Sequence, residues 1–184
     1  MTERDETPTV GREGAPTSTP DIHKATAPRV LGCWVLTISD TKTLETDTSG
    51  ALIRERLTAA GHQVVGSSIV RDEPSEVQRI VREASADASV QVIIMTGGTG
   101  ITSRDSTFEA VEAMLDKRLP GFGELFRMLS FQEIGAAAML SRAQLGVHAR
   151  RIVVSLPGSP NACRLALDKL LLPEMGHLVR EVNR

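Results

Sequence analysis

Gly97, Gly98 and Gly100 follow on the largely apolar run Val90 to Thr96, with the hydroxyls of Thr99, Thr102 and Ser103 beside them. Glycine reaches backbone conformations closed to other residues and lets a ligand approach the main chain closely. Consecutive N–H groups in such a turn form a nest for an anion, and phosphate is the natural guest. A tight turn that needs glycine for its own geometry is the competing reading. Two familiar phosphate loops do not fit. The P-loop requires Lys and then Ser or Thr after its last glycine, and neither is present. The dinucleotide pattern GxGxxG would begin at Gly98, but Ser103 stands where its third glycine belongs.

Asp72 and Asp105 each lie just beyond an apolar run. Two carboxylates near a phosphate loop suggest Mg²⁺ shared between carboxylate and phosphate oxygens, screening negative charge and aligning a nucleotide for attack. A lone loop aspartate is otherwise a helix cap or a surface charge, and Asp105 precedes a helical pattern as an N-cap would. Asp40 and Asp47 suit turn or helix capping. Arg104 and Arg142 either clamp phosphate or lie on the surface. His23, His62, His148 and His177 fall outside these motifs, and no Ser–His or His–Cys constellation emerges, so nucleophilic hydrolase chemistry has no support. Cys33 and Cys163 lack metal-ligand spacing and read as buried reduced thiols. Met95, Met114, Met128 and Met139 read as core filler.

These residues need a scaffold, and the hydropathy pattern supplies one. Val30 to Ser39, Val64 to Val70, Val90 to Thr96 and Ile152 to Leu156 are apolar, β-branched runs of the kind that form buried strands. Between them lie helical patterns. Thr48 to Ala60 has Thr48 or Ser49 as expected N-cap and Gly61 as its stop. Ser75 to Ala86 carries Val77, Ile80, Val81 and Ala84 at helical spacing, with Pro74 near its start. Thr107 to Leu115 continues in the same way. Gly121 to Ile134 is expected to turn Phe122, Leu125, Phe126 and Leu129 inward. Asn161 to Leu172 is a further helix, interrupted by Pro173, with a last short helix after it. Alternating strands and helices predict an α/β fold: three layers, α/β/α, around a mostly parallel sheet. Ligands bind outside the carboxyl ends of the strands in such sheets. The four predicted strands end in Ser39-Asp40, in Arg71 to Pro74, in Thr96 to Gly100 and in Pro157 to Pro160, so glycines, hydroxyls and carboxylates are delivered to one edge.

Composition bounds the function further. The chain has 184 residues, 41% of them hydrophobic and 24% charged, which suits one globular domain with a tail. Residues 1–28 hold four of the nine prolines and few large apolar side chains, and read as a disordered N-terminal tail; residues 29–184 form the domain. The net charge of −2 argues against binding a nucleic-acid backbone by bulk charge. Aromatic residues are 3%, with four Phe, one Trp and no Tyr, too few for a base-stacking platform. No apolar run reaches the length of a membrane span and no signal-peptide core is present, so a soluble cytoplasmic protein is expected.

Six ordered segments carry a resemblance: LTISDT at Leu36 to Thr41, VRDE at Val70 to Glu73, TGGTGITSRD at Thr96 to Asp105, PGFGELFRMLS at Pro120 to Ser130, AMLSRA at Ala138 to Ala143 and LPGSPNA at Leu156 to Ala162. Together they resemble the MoaB/MogA family of molybdenum cofactor biosynthesis, which includes the G domains of gephyrin-type proteins, and they are closer to its MoaB branch. The resemblance implies the molybdopterin-binding fold and an adenylyltransferase that moves AMP from Mg-ATP onto the terminal phosphate of molybdopterin, releasing pyrophosphate. It puts Asp72 and Asp105 in the place of the essential, Mg²⁺-holding carboxylates. Gly97, Gly98, Thr99 and Gly100, with Ser103 and Arg104, correspond to the phosphate loop. Ser39, Asp40, Ser141, Pro157, Gly158, Ser159 and Asn161 correspond to the lining of a shared nucleotide and pterin site. Self-association is implied as well, as a hexamer in the MoaB branch or else a trimer. Two other readings compete: a MoaB-type module that binds molybdopterin or a partner without chemistry, and a nicotinamide-dependent oxidoreductase, against which the broken GxGxxG counts.

Overall fold

Strand β3 (Val92–Thr96) is buried along its whole length, and its alternation divides the molecule in two. Successive strand residues point to opposite faces of a sheet. Val92 and Ile94 accordingly enter one apolar core and Ile93 and Met95 the other. The same parity holds in β6 (Arg151–Leu156), where Ile152, Val154 and Leu156 face the first core and Val153 the second. A strand buried on both faces has no polar positions to spare, which is why these runs read as continuous apolar stretches. The structure is a computed structural model and describes residues 26–102 and 106–184.

Six strands form one sheet among the described residues, in the order β2-β1-β3-β6-β5-β4. Strands β1 (Gly32–Ile38), β2 (Gln63–Val70), β3 and β6 run parallel. The first core is closed by α1 (Thr48–Ala59) through Ile53 and Leu57, by α4 (Pro120–Ile134) through Phe122 and Phe126, and by α5 (Pro160–Ala166) and α6 (Leu172–Val182) through Cys163, Met175 and Val179. The second core is closed by α2 (Pro74–Ala86) and α3 (Thr107–Glu112) through Val77, Ile80, Val81, Ala84 and Val111. Helices thus cover both faces, giving the expected three layers.

Several details depart from the expectation. A second, antiparallel part of the sheet holds β4 (Lys117–Arg118) and β5 (Gln144–His148), with β5 paired to both β4 and β6. The β5–β6 hairpin turns through Ala149 and Arg150 at φ of 47° and 62°. Such turns are usually made by Asn-Gly or Asp-Gly, so the local sequence carries no hairpin signal. A 3₁₀ turn over Gly135–Leu140 separates α4 from β5. Of the candidate caps for the helix at Thr48 it is Asp47, not Thr48 or Ser49, whose side chain accepts from the Gly50 N–H, while Gly61 closes the other end at φ 85° as predicted. Pro173 does not break the final helix. A π-helical turn over Leu167–Leu171 lets the Leu172 N–H bond five residues back to Leu167 O, so the chain bypasses the donor that proline lacks. Leu125 faces outward, as do Met128 and Met139; only Met95 of the predicted core methionines is fully buried, with Met114 packed at the margin of the second core. Ala27 and Pro28 lie against Gly176 of α6. Residues 1–25 of the expected tail, and the predicted site residues Ser103, Arg104 and Asp105, lie outside the described residues.

Both thiols are free and buried. Loss of solvation pushes Cys33 up to about 12 and Cys163 up to about 11. A buried neutral thiol is a poor nucleophile. Folded protein at pH 8 should therefore leave both cysteines unmodified by iodoacetamide, and denaturant should expose two equivalents. Rapid labelling of the folded protein would show that these side chains are accessible.

Candidate functional site

The four parallel strands β2, β1, β3 and β6 are neighbours, and all of them deliver their carboxyl ends to the same edge. The helix after β1 packs on one face of the sheet and the helix after β3 on the other. The chain therefore parts between β1 and β3, and a crevice opens at such a switch point. A cavity of about 100 Å³ occupies this position, lined by Thr37, Ser39, Lys42, Asp47, Ser49, Thr96, Gly97 and Gly158. A larger cavity of about 670 Å³ lies between α4 and α6, but its walls are mainly Leu119, Phe122, Leu125, Leu145, Leu170 and Leu178, so the polar groups converge at the smaller one.

A buried hydrogen-bond network builds the floor of the crevice. Asp47 is 2% exposed. Its Oδ2 accepts from Thr37 Oγ1 at 2.7 Å and its Oδ1 from the Gly50 N–H at 2.9 Å. A buried carboxylate is costly unless bonded in this way. Position 50 must be glycine: a Cβ there would sit 2.0 Å from Asp47 Oδ2. Ser49 Oγ donates to Gly158 O at 2.7 Å, and Thr96 Oγ1 donates to Pro157 O at 3.0 Å. The α1 N-terminus, the β3 end and the loop after β6 are thereby fixed to one another. Ser39 Oγ accepts from the N–H groups of Thr41 and Lys42, each at 3.2 Å, which turns the chain after β1 and places Lys42 in the wall.

The glycine loop crosses this floor. Gly97 donates its N–H to Leu156 O at 3.0 Å and has φ 95°; Gly98 follows at φ 63°. The Gly158 backbone lies directly against that of Gly97. Beside the loop, Asp72 Oδ1 accepts from Thr107 Oγ1 at 2.5 Å, and the Asp72 N–H donates to Asp40 Oδ1 at 3.3 Å. Gly98 packs against Thr107 and Ile38, so the Asp72 carboxylate that Thr107 holds stands near the loop, with Asp40 bonded to the Asp72 main chain.

Of the predicted site residues, Ser39, Asp40, Asp72, Gly97, Gly98, Pro157 and Gly158 come together. Thr99 and Gly100 turn their carbonyls to Arg142, whose Nε donates to Thr99 O at 3.1 Å and whose Nη2 donates to Gly100 O. Arg142 therefore grips the loop's main chain. Ser159 caps α5, its Oγ accepting from the Ala162 N–H at 3.3 Å. Asn161 is exposed in the first turn of α5. Ser141 Oγ is buried with no hydrogen-bond partner among the described residues, and such a hydroxyl calls for an outside partner. Sequence reasoning missed Lys42, Thr37 and Thr107, and placed Ser49 only as a candidate helix cap and Thr96 only as a strand end. The signal that was available is alternation: Thr37 and Thr96 interrupt apolar strands near their carboxyl ends.

Comparisons with known proteins identify the family and the fold. Residues 34–177 match the family described as "Probable molybdopterin binding domain". Molybdenum cofactor biosynthesis protein B of Halalkalibacterium halodurans is 52% identical over 161 residues, covering 87% of this chain and 95% of that protein. The corresponding protein of Bacillus subtilis is 47% identical over 163 residues, 88% of this chain and 96% of that one. A crystal structure of a molybdenum cofactor biosynthesis protein B superposes with a TM-score of 0.83 at 51% identity, covering 86% of this chain and 99% of that one. The tungsten cofactor synthesizing protein MoaB of Pyrococcus furiosus superposes at 0.77 and 37% identity, covering 86% and 100%. A family match over residues 34–177 and relatives of about half identity along nearly their whole length show that the chain belongs to the MoaB/MogA family of molybdopterin-binding proteins of molybdenum cofactor biosynthesis.

Proposed function

We propose that the protein transfers AMP from Mg-ATP to the terminal phosphate of molybdopterin and releases pyrophosphate. The observation that carries this reading is the Asp72 carboxylate, fixed by Thr107 next to the glycine loop and beside Asp40. A phosphate oxygen of molybdopterin attacks the α-phosphorus of ATP. The bond from that phosphorus to the α–β bridging oxygen breaks, and pyrophosphate leaves with the electron pair. The nucleophile is already ionised near neutral pH, so no general base is needed, which suits a crevice lined without histidine. The obstacle is the approach of two anionic groups, and positioned charge and dipoles overcome it. Lys42 and the loop N–H groups supply those here.

The donor set suits Mg²⁺. Among the described residues no three His, Cys, Asp or Glu side chains form a closed metal cage. Mg²⁺ takes one or two carboxylates and keeps its other positions for water and substrate phosphate. Asp72 would hold it, with Asp40 adjacent and Asp105 contributed by the motif that follows the loop. Bound there, the ion screens phosphate charge.

Pyrophosphate release, measured with ATP and molybdopterin together and each alone, tests the proposal. Release only with both supports it. Molybdopterin binding without release would leave a binding module and overturn it.

Self-association is part of the same proposal, with a hexamer favoured and a trimer as the alternative. Leu125, Met128, Phe131 and Ile134 of α4, with Met139 and Leu140 of the 3₁₀ turn, are all exposed. A helix apolar on its outer face as well as its inner one is normally covered. Light scattering should give a multiple of the chain mass, and Phe131→Glu should lower it. A monomer at micromolar concentration would refute this part.

A further inference from the structure

We infer that Arg142 is a positioning residue that sets the peptide planes of the glycine loop, and that it does not itself contact phosphate. The inference rests on the nucleotide reading of the loop given above.

All three guanidinium nitrogens are engaged within the protein. Nε donates to Thr99 O at 3.1 Å, Nη2 donates to Gly100 O, and Nη1 pairs with the Glu109 carboxylate. The guanidinium lies over the Phe108 ring, 4.6 Å from its centroid. Glu109 and Phe108 are adjacent on α3, and the neighbouring Gln144 side chain donates to Phe108 O at 3.2 Å. The arginine is therefore held from below by a ring, from the side by a carboxylate, and presents a two-pronged fork to two successive carbonyls. Its charge is already matched by Glu109, which makes it a poor cation for a ligand.

The consequence follows from peptide geometry. The described bonds contain no cis peptide, and in a trans peptide the C=O and the next N–H point in opposite directions. Turning Thr99 O and Gly100 O toward Arg142 points the N–H groups of Gly100 and Ile101 away from it. Two consecutive N–H groups on one side of a loop make an anion nest. Arg142 thus selects the loop conformation that can receive phosphate, while Gly97 and Gly98 only permit it.

The fork matters more than the charge. Lysine carries the charge on a single nitrogen and cannot bridge two carbonyls while pairing with a carboxylate and stacking on a ring. Arg142→Lys should therefore be as damaging as Arg142→Gln, each raising the KM for Mg-ATP roughly tenfold or more. The KM for molybdopterin and the melting temperature should change little. Glu109→Gln, which frees the fork without deleting it, should give a smaller rise in the same constant. If Arg142→Lys matches the wild type while Arg142→Gln does not, the charge contacts the ligand and the inference fails.

A binding arm separates this from the proposed reaction. Calorimetric titration of wild type and Arg142→Lys with inorganic tripolyphosphate and Mg²⁺ needs no turnover. Wild-type protein that releases no pyrophosphate refutes the reaction alone. Tripolyphosphate binding that weakens roughly tenfold in Arg142→Lys still supports the positioning role, and equal or absent binding overturns it.

Discussion

Asp72→Asn should slow AMP transfer by roughly a hundred- to a thousand-fold, the size of effect seen when one preorganised electrostatic contact is removed from a reacting centre. The substitution keeps the shape and an acceptor oxygen, so Thr107 Oγ1 can still donate as it does at 2.5 Å in the parent. What disappears is the negative charge that, on the proposed function, would hold Mg²⁺ among phosphates. Asp72 is only half-buried and lies at the start of the turn into α2, so the fold should lose no more than about 1 kcal/mol. Pyrophosphate release and thermal melting on the same preparation check both halves. Thr107→Val provides the companion test, because it leaves the carboxylate unanchored while its charge stays. It should retain more activity than Asp72→Asn and recover part of its deficit at high Mg²⁺. Normal turnover in Asp72→Asn would remove this residue from the reaction.

How far the sequence reveals the molecule depends on whether the determining force is local. Strands β1, β2, β3 and β6 are legible because burial on both faces demands unbroken apolar runs, and the helices between them because their apolar spacing is helical. Their shared edge then follows from the crossover rule, which brings Ser39, Asp72, Gly97 and Gly158 together with no structural information. Strand β5 escapes notice because its sequence, QLGVH, is short and its turn uses Ala149 and Arg150 in a conformation that other residues adopt more readily. Pairing with β6 and β4 makes it a strand. The outward face of α4 misleads for a related reason. Its helical spacing marks Leu125 as facing the core, yet Leu125 and Met128 are exposed on the outer side of the helix. Arg142 shows the limit of reading charge from sequence. A guanidinium near a phosphate loop suggests a clamp on the ligand, and only the hydrogen-bond partners reveal that it clamps the loop.

The scarcity of aromatic residues also gains meaning from the fold. Trp34 sits mid-strand in β1 opposite Gly66, with its ring packed over that glycine; a Cβ on Gly66 would come within 2.2 Å of the ring. From position 34 to the strand end at 38 is about 13 Å at strand rise, which keeps the indole clear of the crevice. Phe122 and Phe126 are in the first core, Phe108 is occupied by Arg142, Phe131 is exposed on α4, and none of the four lines the crevice. On the proposed function, recognition of an adenine or pterin ring near Gly97 would therefore fall to main-chain groups, hydroxyls and aliphatic contacts, and affinity to the phosphates.

Gly97→Ala should damage the protein more than any other single methyl group added to the loop. The residue has φ 95°, a conformation that an L side chain rarely adopts, and its added Cβ would lie 2.2 Å from Ile38 O. That oxygen belongs to the backbone at the end of β1 and cannot rotate away. Relief requires the loop to lift from the sheet, which also breaks the 3.0 Å bond from the Gly97 N–H to Leu156 O. Left-handed strain of about 1–2 kcal/mol and the lost bond of about 1 kcal/mol together should lower the melting temperature by about 4–12 °C for a chain of this size. The displaced loop should bind Mg-ATP at least roughly a hundred-fold more weakly, since a misplacement of about 1 Å near the reacting groups has that effect. Gly158→Ala is the matched control on the facing loop: its Cβ would meet the Gly97 backbone at an ordinary 3.6 Å, so its stability should be near the parent's. Gly121→Ala, with open space around the Cβ in the first turn of α4, should be neutral or slightly stabilising. If Gly97→Ala melts like the two controls and turns over like Gly121→Ala, the loop is not held against Ile38 as described. If it alone fails, the contact between Gly97 and the Ile38 carbonyl of β1 is what keeps the glycine loop in register with the sheet edge.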